Sequence, residues 1–422
     1  MNIGIVTTWF DRGAAYVSKA YMDVFSQEHQ VFIYARGGEQ YSIGDPRWDM
    51  GNVFWASPVP GKPYEYIDWR EFSSWLRANN IDILLFNEQQ DWDIILRLIK
   101  LDIPFGAYID YYTLETAHFY WLYDFVICNT KRHYSIFKNH PQSFYIPWGT
   151  DINVFKPQEK PAFRDSITFF HSCGVSPDRK GTDLLVRAFK EIKGNAKLII
   201  HSQWPLKNQF PDLYNLINCD RRITLIEEVV TPPGLFHLGD IYVYPTILEG
   251  IGLTIAEAMA CGLPVITTNE PPMNEFIVDG ENGKLVNVDY YKRRSDNYYW
   301  MQSFCDLESL INALNFYIRN SNNLNLYKEK ARLYALDHLD WFKNAGEINS
   351  IIKNINIIHR DFDNDLVQKV RKYESIRIRA SFTSSTLTIK LKCIIATSCF
   401  YPFVKKLWRF LKGSLLILMS II

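Results

Sequence analysis

The chain has 422 residues, too many for one ordinary core and enough for two domains, and its 47 % hydrophobic content allows a sizeable interior. Lysine and arginine together number 46, as do aspartate and glutamate, a balance that gives no reason to expect a nucleic-acid partner. The seven cysteines are scattered, odd in number and without a CxxC pair, which points to reduced thiols in a cytoplasmic protein rather than a disulfide frame or zinc site.

The opening "MNIGIVTTWF" lacks a basic segment followed by an apolar run and reads as a first strand, so no secretory signal is expected. A glycine-containing loop, "WFDRGAA", leads to a helix from about Tyr16 to Ser26. Short apolar runs follow at "VFIYA", "DILLFN", "PFGAY" and "FVICN", with helical spacing in "WREFSSWLRANN" and "WDIILRLIKL". Buried strands alternating with helices argue for a parallel sheet covered on both faces. Around residues 155–162 the pattern breaks into Pro, Gly and turn residues, a domain boundary.

The alternation then resumes. "SITFFHSC", "AKLIIHS", "RITLIEE", "IYVYPT" and "PVITT" read as strands, with helices at Thr182–Ile192 and "LTIAEAMA", and residues 305–356 as mainly helical. The fold class is therefore α/β with two Rossmann-like halves and a C-terminal tail. Residues 1–158 form the first domain, 159–340 the second, 341–358 a helix crossing back, and 359–422 a basic and apolar tail. The tail's apolar runs, 393–404 and 414–422, are each shorter than the ~20 residues a spanning helix needs. The basic and aromatic "KKLWRFLKG" between them fits a segment lying in a membrane interface. The alternatives are a terminal helix packed on the body, or a disordered tail.

Two glutamates stand out in "YPTILEGIGLTIAEAMACGLPVITTN". Glu249 ends a strand within a glycine loop, where ligands of open α/β sheets collect, and the helix starting at Leu253 offers free N–H groups to an anion. Glu257 lies about one turn further on, placed to face the same crevice and accept from paired hydroxyls such as those of a ribose. The plainer reading makes Glu249 a helix cap and Glu257 a surface residue, but Ala256, Ala258, Met259, Ala260 and Cys261 leave little polar face around Glu257. Arg179 and Lys180 precede the helix from Thr182, where the dipole disfavours cations unless an anion sits between them. By spacing alone an exposed basic turn is equally good.

The run "EGIGLTIAEAMACGLPVI" resembles the paired-glutamate motif of retaining family-four glycosyltransferases, which have the GT-B fold. "IPWGTDINVF" (146–155), "GVSPDRKGTDLLVRAF" (174–189) and "GENGKLV" (280–286) resemble that family's domain-joining stretch, phosphate-binding segment and following turn and strand, in the same order. The resemblance covers about 146–290 and does not reach the tail. It implies two domains facing each other across a cleft, a nucleotide sugar as donor substrate without cofactor or metal, and retention of anomeric configuration. It further implies a glycan or lipid-linked saccharide as acceptor, in cell-surface polysaccharide synthesis at the inner face of the membrane.

Carried over residue by residue, the resemblance makes Lys180, Arg179 and Glu249 the catalytic group. Glu257, Gly250, Ile251, Gly252, Leu253, Thr254 and, from the first domain, Gly13 become donor contacts. One departure is Val175, where the family usually has arginine, which leaves Arg179 to supply that charge from a different place. On the acceptor side the candidates are His118 and Asp110, the family's usual histidine motif not being visible. No His and acidic cluster has metal-ligand spacing, and the pairs in "DWD" (91–93) and "DFD" (361–363) read as solvated surface. The competing functions are a nucleotide-sugar epimerase or hydrolase of the same fold, and an inactive sugar-binding homologue.

Overall fold

The computed structural model describes residues 1–422 except 61, 64, 159–165, 359–364 and 378–422. The apolar runs of the tail and the "DFD" pair lie outside the described residues.

The N-terminal half builds a seven-stranded sheet from β1 (Asn2–Thr7), β2 (Gln30–Ala35), β3 (Val53–Trp55), β4 (Ile83–Asn87), β5 (Phe105–Tyr108), β6 (Phe125–Cys128) and β7 (Ser143–Tyr145). Helices α1 (Gly13–Phe25), α2 (Trp69–Ala78), α3 (Trp92–Leu98) and α4 (Lys131–Phe137) connect them. The strand order is β3-β2-β1-β4-β5-β6-β7, all parallel. Every residue of β4, β5 and β6 is buried, as expected of near-continuous apolar strands covered on both faces.

The second sheet contains β8 (Ile167–Gly174), β9 (Ala196–Ser202), β10 (Ile223–Glu227), β11 (Ile241–Tyr244), β12 (Val265–Thr268) and β13 (Gly283–Val286), in the order β10-β9-β8-β11-β12-β13. Its helices include α5 (Thr182–Glu191), α6 (Leu206–Gln209), α7 (Pro211–Asn218) and α8 (Leu253–Ala260). In both sheets the strand order reverses beside the first strand, between β1 and β4 and between β8 and β11. Such switch points open a crevice at the carboxyl ends of the strands. The loops after β1, β4, β8 and β11 therefore carry the site.

A hairpin of β14 (Val288–Lys292) and β15 (Gln302–Cys305) follows β13 and was not expected from the sequence. Its tip returns to the first domain, where Thr113 bridges Tyr298. Helices α9 (Leu307–Arg319), α10 (Leu324–His338), α11 (Trp341–Asn344) and α12 (Ile348–Lys353) complete the order. Residue 150 bridges Asp340, and beyond it Trp341 Nε1 donates to Ala20 O at 3.0 Å and Asn349 Nδ2 to Val24 O at 3.1 Å, so the chain returns to α1. A further helix at 365–377 packs on the first domain through fully buried Val370 and through Glu374, which accepts from the Trp92 amide at 2.9 Å.

Three local expectations change. The first helix begins at Gly13 rather than Tyr16. The aromatic segment holding His118, where an aromatic helix is the sequence expectation, is instead a 3-10 turn, Thr116–Leu122. Asp91 of the "DWD" pair is not solvated surface: it is 2 % exposed and caps α3, accepting from the amides of Ile67, Asp93 and Ile94. Burial raises its carboxyl to about 7.

Candidate active site

Two loops after β8 and β11 meet at one carboxylate. Gly181, at φ +67°, ends the first loop as the N-cap of α5, and a side chain there would run into Pro245 O at 2.2 Å. Glycine is thus required for the two loops to touch. His171, within β8, fixes the same corner. Its Nδ1 faces Val243 O at 2.8 Å, so it carries the proton, and Nε2 accepts from the Thr182 hydroxyl at 2.8 Å. Burial lowers its pKa to about 4, consistent with a neutral ring.

Glu249 is the centre. Its Oε1 accepts from Lys180 Nζ at 2.6 Å, Thr246 Oγ1 at 2.7 Å, Tyr244 OH at 2.8 Å and Arg179 Nη1 at 3.0 Å. Oε2 has no hydrogen-bond partner among the described residues. Burial alone would raise this carboxyl, but the charges of Arg179 and Lys180 outweigh it and hold it at about 2. Burial pulls Lys180 down to about 8 against the attraction of Glu249, which still leaves it mostly charged at neutral pH. The trio of two cations and one anion carries net positive charge in a site that is largely shielded from water. Arg179 also donates to Leu248 O at 2.8 Å while its side chain stays 39 % exposed. Val175 sits exposed in the same loop and contributes no charge.

Helix α8 starts at Gly252, which takes φ +89° as N-cap with no side-chain cap. Its first-turn amides are free of the usual serine or aspartate partner. Ile251 is buried, and Leu253 faces the first domain: a side chain on Gly13 would meet Leu253 at 3.5 Å. Thr254 is half-buried in the same turn. The small buried residues Ala256, Ala258 and Ala260 let α8 pack closely on the sheet and on α10, and Arg332 donates to Ala260 O at 2.6 Å at the C-terminal end, where the dipole favours a cation. Glu257 is the one ionisable group of this helix. Its carboxyl has no hydrogen-bond partner among the described residues, and burial raises it to about 7 against the pull of Lys180.

On the first-domain side, Asp110 follows β5 and presses on the loop after β11: a Cβ on Gly250 would lie 1.9 Å from its Oδ1. Burial raises its carboxyl to about 7, helped by the charge and hydrogen bond of Glu88. Glu88, after β4, holds a left-handed φ of +52°, uncommon for a non-glycine residue. Arg12 joins it at 3.0 Å and reaches Glu39 at 3.2 Å. His118 is not part of this group. The buried side of its turn is taken by Phe119, Tyr120 and Leu122, and His118 is exposed beside Trp121, ring centroids 6.1 Å apart. The histidine in the cleft is His133, whose Nε2 lies 3.1 Å from Gly250 O.

Thus Lys180, Arg179 and Glu249 are in direct contact, Gly250 to Thr254 and Glu257 line the same loop and helix, and Gly13 and Asp110 face them. Sequence reasoning missed Glu88, Arg132, His133, Tyr244 and Thr246. Tyr244 and Thr246 lay inside the quoted stretch and Glu88 at a strand end, the place ligands collect. Arg132 and His133 carried no such mark. Among the described residues no three His, Cys, Asp or Glu side chains are grouped to hold a metal ion, and no helix is long and apolar enough to cross a membrane.

Residues 166–293 match the family model described as Glycosyl transferases group 1. An uncharacterized glycosyltransferase of Methanocaldococcus jannaschii is 29 % identical over 180 residues, covering 39 % of this chain and 44 % of that protein. The capsular polysaccharide biosynthesis glycosyltransferase CapM of Staphylococcus aureus is 32 % identical over 117 residues, 27 % of this chain and 31 % of that one. The chain therefore spans less than half the length of these curated relatives. Among solved structures, Anabaena HepE in complex with UDP superposes with a TM-score of 0.67 at 15 % identity, over 83 % of this chain and 99 % of that one. That likeness shows the fold: GT-B, two Rossmann-like domains facing each other across a cleft.

Proposed function

We propose that this chain is a glycosyltransferase that moves a sugar from a nucleotide-sugar donor to a glycan or lipid-linked saccharide acceptor, with retention of anomeric configuration and without a metal. Residues 1–158 would serve the acceptor and 159–340 the donor, with 341–358 crossing back; of the 359–422 tail, the 365–377 helix is packed on the first domain, and the part beyond it would rest at the inner membrane face. Polysaccharide synthesis is the setting suggested by CapM. The observation that carries the reading is Glu249, whose Oε1 is saturated by Lys180, Arg179, Tyr244 and Thr246 while Oε2 has no partner among the described residues.

The chemistry follows from charge. The bond between the anomeric carbon and the donor phosphate oxygen breaks, and negative charge grows on the leaving diphosphate. Lys180, Arg179 and the uncapped start of α8 supply positive charge there, and preorganised stabilisation of this kind usually accounts for most of an enzyme's rate acceleration. Glu257, whose carboxyl has no hydrogen-bond partner among the described residues, holds the ribose hydroxyls. Glu249 Oε2 and the amides of Gly250 to Leu253 place the sugar. The acceptor hydroxyl attacks from the face the leaving group vacates and passes its proton to the departing phosphate, so no separate base is needed. Asp110 lines the acceptor side.

The test is nucleotide release from a panel of UDP-, GDP- and other nucleotide sugars, with and without saccharide acceptors and with chelator present. Release only with acceptor, resistant to chelator and giving a product of unchanged anomeric configuration, supports the reading. Acceptor-independent release or epimerised sugar would replace it with the hydrolase or epimerase alternative.

A further inference from the structure

The donor loop is held from the opposite domain by two consecutive residues of α4. Arg132 is 5 % exposed; its Nη2 donates to Glu249 O and its Nη1 to Pro271 O at 2.5 Å. His133 is fully buried, with Nε2 at Gly250 O. The start of α4 is itself fastened across the interface, because the Glu275 carboxylate accepts from the amides of Lys131 at 2.7 Å and Arg132 at 2.9 Å.

Proton counting fixes the direction of the contacts around His133. Trp300 Nε1, at the tip of the β14–β15 hairpin, can only donate, and it lies 2.8 Å from Tyr112 OH. Gly250 O can only accept, so the His133 ring proton is on Nε2. The neutral ring's Nδ1 is then an acceptor, and Tyr112 OH, accepting from Trp300, gives its own proton to it at 3.0 Å. Burial and the neighbouring charge of Arg132 lower the His133 pKa well below the ordinary imidazole value, in keeping with a neutral ring. The Trp300 ring also covers the Arg132 guanidinium at 5.1 Å.

We infer that Arg132 and His133 are positioning residues that orient the 249–250 and 250–251 peptides of the donor loop, and that Tyr112, held by Trp300, supports the His133 tautomer that this task needs. In a trans peptide the C=O and N–H point in opposite directions. With both carbonyls drawn toward α4, the amides of Gly250 and Ile251 are turned away from it and cannot reorient freely. The hairpin thereby takes part, through Tyr112 and His133 of the first domain, in shaping a loop of its own domain. The consequence for transfer rests on the donor-site reading above; the hydrogen-bond chain does not.

The test compares His133→Gln, which keeps a donor for Gly250 O and an acceptor for Tyr112 OH, with His133→Phe, which keeps a ring and loses both. Amide hydrogen exchange is followed by mass spectrometry on the peptide covering 244–255 in the full chain without ligand. Expected is roughly three- to tenfold faster exchange in His133→Phe, the scale of one lost neutral hydrogen bond, with His133→Gln close to wild type. Turnover should fall and recover in the same order. Equal exchange in the two variants would overturn the inference. Should His133→Phe not fold, Trp300→Phe decides instead: faster exchange of the same peptide supports the relay and unchanged exchange overturns it. Exchange that follows the expected order in a protein that binds no nucleotide sugar would overturn the donor reading and leave the positioning role standing.

Discussion

Lys180 Nζ lies 2.6 Å from Glu249 Oε1, and the two ionisable groups stabilise each other's position from different loops. Replacing Lys180 by alanine leaves Glu249 with Arg179, Tyr244 and Thr246, so the carboxylate is not stranded and the fold should survive. On the proposed donor-site reading, the cation facing the leaving phosphate is lost, and removal of one such group costs about 10²–10³ in kcat. Steady-state kinetics on Lys180→Ala, with circular dichroism as the folding control, checks this. Wild-type turnover would remove Lys180 from the site.

Glu257 gives a prediction in pH. Its folded-state carboxyl is raised to about 7 by burial, from an ordinary value of 4.5. Between those values the folded chain binds more protons than the unfolded chain, so stability contributed by this group falls as pH rises from about 4.5 to 7. Asp110 and Asp91, both raised to about 7, act in the same direction. The variant Glu257→Gln should therefore be relatively more stable than wild type at pH 8 than at pH 5, and denaturant titrations at the two pH values measure the difference. Parallel curves would show that the carboxyl is not desolvated in the fold.

Gly250 and Asp110 are in contact across the cleft. A methyl group on Gly250 would fall 1.9 Å from Asp110 Oδ1, so Gly250→Ala must displace either the loop or the carboxyl. Transfer should drop at least tenfold if the reacting groups move by about an ångström. In an Asp110→Ala background the obstruction is gone and Gly250→Ala should cost little more. Equal penalties in both backgrounds would mean that the two residues do not meet.

Glu275 closes the domain interface by capping α4. Glu275→Ala should lower stability by about 1 kcal/mol, the size of a lost N-cap, and weaken transfer without touching the donor. Thermal unfolding and a kcat against KM comparison test it. A change in donor KM alone would place Glu275 in the donor site instead.

The fold was legible because strands buried on both faces write continuous apolar runs such as "DILLFN" and "IYVY", whichever neighbours they choose. The donor half of the site was legible for a related reason: a loop that must approach another backbone writes glycines, and Gly181 and Gly252 take positive φ there. The first-domain half was not. His133 acts through a contact 117 positions away, and nothing in "TKRHYSIF" distinguishes it from His118, which the fold leaves exposed. The hairpin at 288–305 was missed because "VDYYKRRSDNYYW" lacks a clean alternation: Tyr290 stacks on Phe304 within the hairpin, while Tyr298 and Trp300 bond across to the opposite domain.

The central claim is that Lys180, Glu249 and Glu257 form one donor-binding clamp. The direct measurement is the thermal-unfolding shift of wild type and of the Lys180→Ala/Glu257→Ala double variant against UDP-, GDP-, ADP-, dTDP- and CMP-sugars, since a ligand of the native state raises the midpoint by an amount that grows with the logarithm of its affinity. The account predicts that one nucleotide class raises the wild-type midpoint by several degrees and leaves the double variant unmoved. No shift in wild type with any of them, or an undiminished shift in the double variant, would contradict it.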